Sequence, residues 1–281
     1  MMPHARPLQF TRRRVLQAAG AGVALAAVPG LAQATTGRTI TVQALPSART
    51  TELERTQNSL SASELRTTGC YLPADTALNV VVHAGSLAPT LVIGAPDADA
   101  RKEFKSPRQY PLQVGRNTVT DAGGGVVYLK LIGTSGQAKV SIGDQAQAMP
   151  YFVLGRTGEA EFQRQLDERT TPYVELVGPH AMLTVERASA LIYRTENHAQ
   201  LLSTYEEIIA IEDATSGYDG SAPQHVRLPH RYHFVGYPAA ITGVGAYATH
   251  GHMSFPPPIQ DRMLTVEALR TRGCNWRRAS R

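Results

Sequence analysis

Nine histidines are the first groups in this 281-residue chain with a charge that changes near neutral pH. His225, His230 and His233 fall within nine positions, and His250 and His252 follow. A metal site needs neutral imidazoles that converge, each held by a partner on its second nitrogen. His230 follows Pro229, which places the His230-x-x-His233 pair on an extended segment. Positions three apart on a strand face opposite ways, so these two do not suit one ion. His250-x-His252 has strand spacing for one shared face, but histidines in a Gly/Pro-rich stretch read first as solvated. The helical zinc-protease pattern His-Glu-x-x-His is absent, since none of the nine histidines is followed by glutamate. No serine stands in Gly-x-Ser-x-Gly, so the hydrolase elbow is absent too. Gly123-Gly124-Gly125 lacks the Lys-Ser/Thr of a nucleotide loop and leads into β-branched residues, as a tight turn before a strand would. The pairs Glu206-Glu207 and Glu212-Asp213 read as the wet side of a helix. Motif by motif, the residues assign no catalytic, cofactor-binding or metal-ligating position.

The elements that would position such groups change character near residue 150. Before it, Leu78, Val80 and Val82 alternate after a turn at Pro73 and Asp75. "TLVIGAP" (90–96), "GGGVVYLKLIG" (123–133) and "AKVSIG" (138–143) repeat the theme at short spacing, which predicts a β-sandwich. Upstream, "TTELERTQNSLSASELRTTG" (50–69) is expected to open as a short helix, with Ser61 and Glu64 at the spacing of a capping box. After 150, "TGEAEFQRQLDER" (157–169) predicts a helix and "PYVELVGPHAMLTVERA" (172–188) two strands about a Gly-Pro turn. Leu191, Ile192, Ala199, Leu202, Tyr205 and Ile209 then form one apolar stripe along a single helix of about six turns. Residues 214–260 read as loop.

Composition narrows the class. Hydrophobic residues make up 42% and charged residues 18%, enough to build a core. Arg6, Arg12, Arg13 and Arg14, with no Lys, Asp or Glu in residues 1–34, account for four of the five net positive charges. The rest is near neutral, so no basic face for nucleic acid is expected. "TRRRVLQ" (Thr11–Gln17) followed by a small-residue apolar run and Ala32-Gln33-Ala34 reads as a twin-arginine export signal over residues 1–34. That run is about fifteen residues, short of a bilayer span; no transmembrane helix is expected in the mature chain, and the expected location is periplasmic or secreted. Cys70 and Cys274 are the two cysteines, left open between a pair and two thiols.

Several segments in order resemble the enhancin-like metallopeptidases, peptidase family M-60. They are "TTGCYLPADTALNVVV", "GGGVVYLKLIG", "PYFVLGRTGEAEFQRQLD", "PYVELVGPHAMLTVERA" and "HFVGYPAAI". They are similar to that family's Tyr-x-Pro turn, Gly-Gly-x-x-Tyr strand, Glu-Leu strand and Gly-Tyr-Pro loop. The resemblance implies an α+β chain: an N-terminal β-sandwich (35–150), then the incomplete start of a mixed α/β metallopeptidase domain (151–281). It implies relatives that use zinc to hydrolyse glycoproteins such as mucins. In that family a Leu-rich lead-in and Gly-x-Trp-Gly run into His-Glu-x-x-His. Here "LTVEALRTRGCNW" (264–276) looks like the lead-in, and "RRASR" follows it. The expectation is therefore a chain truncated before its zinc helix, without zinc of its own and inactive. Beyond about residue 190, Leu202 and Ile209 are expected to lack packing partners. The alternative is a non-catalytic glycan- or cell-surface-binding sandwich using Tyr71, Tyr110, Tyr128 or Tyr151 as flat platforms.

Overall fold

The computed structural model describes residues 37–56, 62–94, 107–217, 227–234, 247–249, 252–255 and 260–271. The sandwich is made of two antiparallel sheets. The first contains β1 (Thr39–Gln43), β3 (Thr76–Val82), β6 (Gly115–Asp121) and β8 (Gln137–Ile142), in the order β1-β8-β3-β6. The second contains β2 (Leu65–Leu72), β4 (Thr90–Ile93), β5 (Arg108–Pro111), β7 (Gly125–Lys130) and β9 (Gln147–Ala148), in the order β5-β4-β7-β2-β9. Strand alternation decides what fills the space between them. Leu78, Val80 and Val82 meet Leu91, Ile93, Val127 and Leu129 in one buried core. The residues between these, Val92, Val126 and Tyr128, point the other way and are buried too, in a second cluster with Leu65 and Met149. A sheet buried on both faces explains why "GGGVVYLKLIG" is apolar without a break.

The turn into β7 is as tight as its glycines suggest. Gly124 and Gly125 take φ of +60° and +134°, and a Cβ on Gly125 would lie 2.6 Å from the Gly94 Cα. The loop does cradle an anion, but an internal one. The Gly123 and Gly124 amides donate to one Asp121 carboxylate oxygen at 2.8 and 2.7 Å.

The third sheet is mixed. It contains β10 (Tyr151–Val153), β11 (Tyr173–Val177), β12 (Ala181–Glu186), β13 (His230–Phe234), β14 (Tyr247–Thr249) and β15 (His252–Phe255), ordered β10-β11-β12-β13-β15-β14. Its parallel pairs need crossovers. Helix α2 (Glu159–Glu168) joins β10 to β11. Helices α3 (Arg187–Ile192) and α4 (His198–Thr215) join β12 to β13. Phe152, Phe162, Leu166, Val174, Leu176, Leu183, Val185, Leu202, Tyr205, Ile209, Tyr232 and Phe234 form the core between this sheet and its helices. Leu264 and Leu269, from 260–271, complete it. The whole is α+β, as expected from sequence.

Four local expectations are corrected. The helix expected at the opening of 50–69 is α1 (Ala48–Thr56), but the Ser61–Glu64 spacing does not cap it, and β2 begins at Leu65. Glu64 serves that earlier helix: its carboxylate accepts the Ala48 amide at 3.3 Å and pairs with Lys130 at 3.0 Å. Ser61 itself lies outside the described residues. The six-turn helix is two helices, because Asn197 caps α4 by accepting the Gln200 amide at 2.9 Å. Ile192 ends α3 with 73% of its surface exposed, so it leaves the stripe, while Leu202 and Ile209 are fully buried and do not lack partners. Within the supposed loop 214–260 runs the buried strand β13.

Candidate functional site

The histidines do not gather. On β13, His230 shares a face with Tyr232 and Phe234, whereas Arg231 and His233 point to the opposite face, as strand spacing predicts. His230 lies 3.8 Å from the buried Asp213 of α4. His233 is wholly buried, and its Nε2 accepts from Arg231 Nη2 at 3.0 Å. His225 and His250 lie outside the described residues, and for His252 only the strand is described. Among the described residues no three His, Cys, Asp or Glu side chains converge as a metal ion requires, so these residues do not fit the zinc of the M-60 peptidases.

The carboxylate pairs are not simply a wet face. Glu206 is half-buried and accepts three bonds from the β11–β12 hairpin: the His180 and Ala181 amides, each at 2.8 Å, and His180 Nδ1 at 2.9 Å. Burial pushes its pKa up, but these bonds win and hold it below the usual carboxylate range. Asp213 behaves likewise: burial is outweighed by His230 and by Arg227 Nε, which donates at 2.6 Å. Both acids pin α4 to the third sheet. Glu206→Gln keeps an acceptor but loses the charge, and is expected to cost about 1–2 kcal/mol in a urea titration at pH 7. The loss should shrink as the pH falls through the depressed Glu206 pKa, because protonation disables the wild-type acceptor as well.

None of the four tyrosines is an open platform. Tyr128 is fully buried. Tyr110 donates to Asp121 at 2.7 Å and packs on the sandwich core. Tyr71 packs beside Tyr128. Tyr151 shares a 2.7 Å hydrogen bond with Thr67, and the Arg38 guanidinium lies 4.6 Å above its ring. Cys70 is a buried free thiol, and Cys274 lies outside the described residues. A Ser141 Oγ to His83 Nε2 contact of 2.8 Å has the pairing of a nucleophile and base. It sits in a strand ladder between β1 and β3, beside Thr39 at 2.8 Å, where the neighbouring amides are committed to the sheet rather than to an oxyanion.

The chemistry that sequence reading missed lies between the second and third sheets. Glu175, Thr184, Arg231 and His233 all occupy the face of the third sheet opposite its helices, and all are buried. The Tyr128 hydroxyl reaches across from β7 to within 3.2 Å of the Thr184 hydroxyl, which donates toward Glu175 Oε1 at 3.4 Å. Arg231 stacks over the Tyr128 ring at 4.6 Å. The only sequence signal was a polar residue at alternate places in "YVELV" and "HRYHF".

A family model described as "Peptidase M60, enhancin and enhancin-like" matches residues 145–277, and the N-terminal domain of M60-like peptidases matches 38–143. Together they cover most of the chain, and it belongs to this family. Among curated proteins, TRPM8 channel-associated factor 1 of Bos taurus is 29% identical over 174 residues, covering 58% of this chain and 18% of that protein. Among solved structures, a functionally unknown conserved protein from Bacillus anthracis superposes with TM-score 0.69 at 26% identity, covering 84% of this chain and 48% of that one. The M60 catalytic domain of Clostridium perfringens ZmpC, solved with the sialyl T antigen, gives TM-score 0.66 at 16% identity over 81% of this chain and 49% of that one. The chain thus spans about half the length of these solved relatives and less than a fifth of the curated one.

Proposed function

We propose that this is an exported M-60 protein whose substrate class is glycoproteins, and that the 281-residue polypeptide does not itself cleave them. Two M-60 models matching in tandem carry the family part of this reading. The absence of His-Glu-x-x-His from the sequence supports the inactive part, because a hydrolytic zinc needs both imidazoles and the water-activating glutamate. In this reading residues 1–34 are a twin-arginine leader to the periplasm or beyond, 35–150 the sandwich, and 151–281 the peptidase-like segment. Among the described residues no helix is long and apolar enough to cross a membrane.

The test is incubation of the purified chain with a mucin-type glycoprotein and added zinc, followed by fragment analysis and metal quantification. No new fragments and well under one zinc per chain are expected. Chelator-sensitive cleavage, or stoichiometric zinc, would overturn the inactive reading. A second reading, glycan binding without cleavage, draws on the solved complex of ZmpC with the sialyl T antigen. The burial of Tyr128 and the packing of Tyr71, Tyr110 and Tyr151 deny it the stacking platforms expected from sequence. Retention of the chain on immobilised sialylated mucin, with no cleavage, would favour it.

A further inference from the structure

The third sheet is apolar on its helix side and ionisable on the side it turns to the sandwich. Val174 and Leu176 enter the helix-side core, which aims Glu175 between them at the second sheet. Glu175 is 1% exposed, and its Oε2 has no hydrogen-bond partner. An ionised carboxylate with a bare, dry oxygen is costly, whereas a neutral carboxyl, which still accepts from Thr184 through Oε1, is far less so. We propose that Glu175, Thr184 and Tyr128 form a proton-controlled latch between the two sheets, closed while the Glu175 carboxyl is neutral and loosened when it ionises.

The groups around Glu175 come from every neighbouring element. Tyr128 faces it from β7 and Cys70 from β2; Tyr151 is its register partner on β10. Arg38, just before β1, and Arg231 on β13 are the cations, and His233 on β13 is the register partner of Thr184, in the same row as Glu175. Neither cation neutralises the carboxylate by contact. Arg231 spends itself on the Tyr128 ring and His233 and leaves its own Nε unpaired, while Arg38 covers Tyr151. Burial therefore prevails over Tyr128, Arg231, Thr184 and Arg38, and pushes the carboxyl up to about 7. The other acids of the seam move the same way, chiefly by burial: Tyr151 is pushed up to about 12, and Tyr128 and Cys70 are raised. The seam as a whole is built for neutral acids.

The sign of the pH effect follows. A carboxyl raised in the closed state binds its proton more tightly there than in water. Its contribution is full below the ordinary glutamate value and drains away as the pH climbs to about 7. This is opposite to Asp121, Glu206 and Asp213, whose depressed values make their contributions fail on acidification. The seam should therefore be tightest at mildly acidic pH.

The test uses the full chain carrying isotope-labelled glutamate, followed by infrared difference spectroscopy from pH 5 to 8.5. One buried carboxyl C=O band should bleach with a midpoint near 7 and be missing from Glu175→Gln. In parallel, hydrogen exchange in β7 and β11, corrected for intrinsic rates, should accelerate roughly ten- to 70-fold between pH 5 and 8 in the wild type, because part of the pKa displacement is already spent at pH 5. It should stay flat in Glu175→Gln. A band titrating below pH 5, or equal acceleration in both proteins, overturns the proposal. If Glu175→Gln does not fold, Tyr128→Phe replaces it. Removing the hydroxyl that favours the ionised form should move the band's midpoint upward, and an unmoved midpoint is equally fatal.

Discussion

Replacing Asp121 with alanine is expected to lower the stability of the protein by about 2–3 kcal/mol, the cost of removing a buried carboxylate whose cation, Arg108, keeps 37% of its side chain exposed and can turn to water. Asp121 is wholly buried at the end of β6 and accepts five bonds. Arg108 donates through Nε and Nη2 at 2.6 and 2.7 Å, and Tyr110 at 2.7 Å. The Gly123 and Gly124 amides supply the other two. Burial alone would raise its pKa, but the Arg108 and Tyr110 bonds outweigh it and hold the carboxyl below the usual range. Alanine removes the acceptor and strands the amide of the buried Gly124, whereas the exposed Gly123 can turn its amide to water. Asp121→Asn keeps the shape and one acceptor, so it should lose less, with Arg108 as the main casualty. Guanidinium titration followed by circular dichroism at pH 7 measures both. A loss below about 1 kcal/mol for the alanine variant would mean that the turn is held by its glycines alone.

That network also marks where sequence reading succeeds. A turn at Gly123–Gly125 was legible because three glycines before β-branched residues have few other uses. The identity of its anion was not, because Asp121 and Arg108 meet only once β6 and β5 have paired with their separate partners. The same division recurs elsewhere. The β11–β12 hairpin was legible from alternation about Gly178-Pro179, and the sandwich strands from Leu78, Val80 and Val82. Strand β13 was legible only as an extended segment after Pro229 and not as a buried strand, because "HRYHF" puts Arg231 and His233 at the places where an ordinary strand between two layers shows apolar residues. The reason is the seam: this face of the sheet is buried yet ionisable, so it breaks the rule by which buried strands are recognised. Glu175 inside "YVELV" carries the same signature and was passed over for the same reason. Helix α4 shows a different limit. The apolar stripe was continuous through Leu191 and Leu202, but one Asn at 197 with helical geometry after it ends the continuity.

Phe162→Ala is expected to cost about 3–5 kcal/mol and lower the melting midpoint by about 10 °C. Phe162 is the fully buried knob of α2. Its ring meets Phe152 of β10 edge-on at 5.4 Å and 77°, and the His198 ring at 4.6 Å and 71°. His198 is itself buried at the start of α4, where its Nδ1 meets Glu159 Oε2 at 2.7 Å and Glu159 Oε1 accepts the Ala199 amide at 3.2 Å. One side chain thus locks α2 and α4 to the sheet, and His198 cannot collapse into the space alanine would leave without breaking its bond to Glu159. Phe162→Leu, which keeps most of the volume, should lose less than half as much. A control substitution at the exposed Glu168, on the wet side of α2, should fall within about 0.5 kcal/mol of wild type. The shape of the transition carries a second expectation. Val92, Val126, Tyr128 and Met149 continue the packing from the sandwich to the third sheet without a solvent layer. Phe162→Ala and Asp121→Ala, placed in different cores, should therefore each displace one shared transition rather than split it. A sandwich signal that melts at the wild-type midpoint in Phe162→Ala would show instead that the seam joins two independently folding halves.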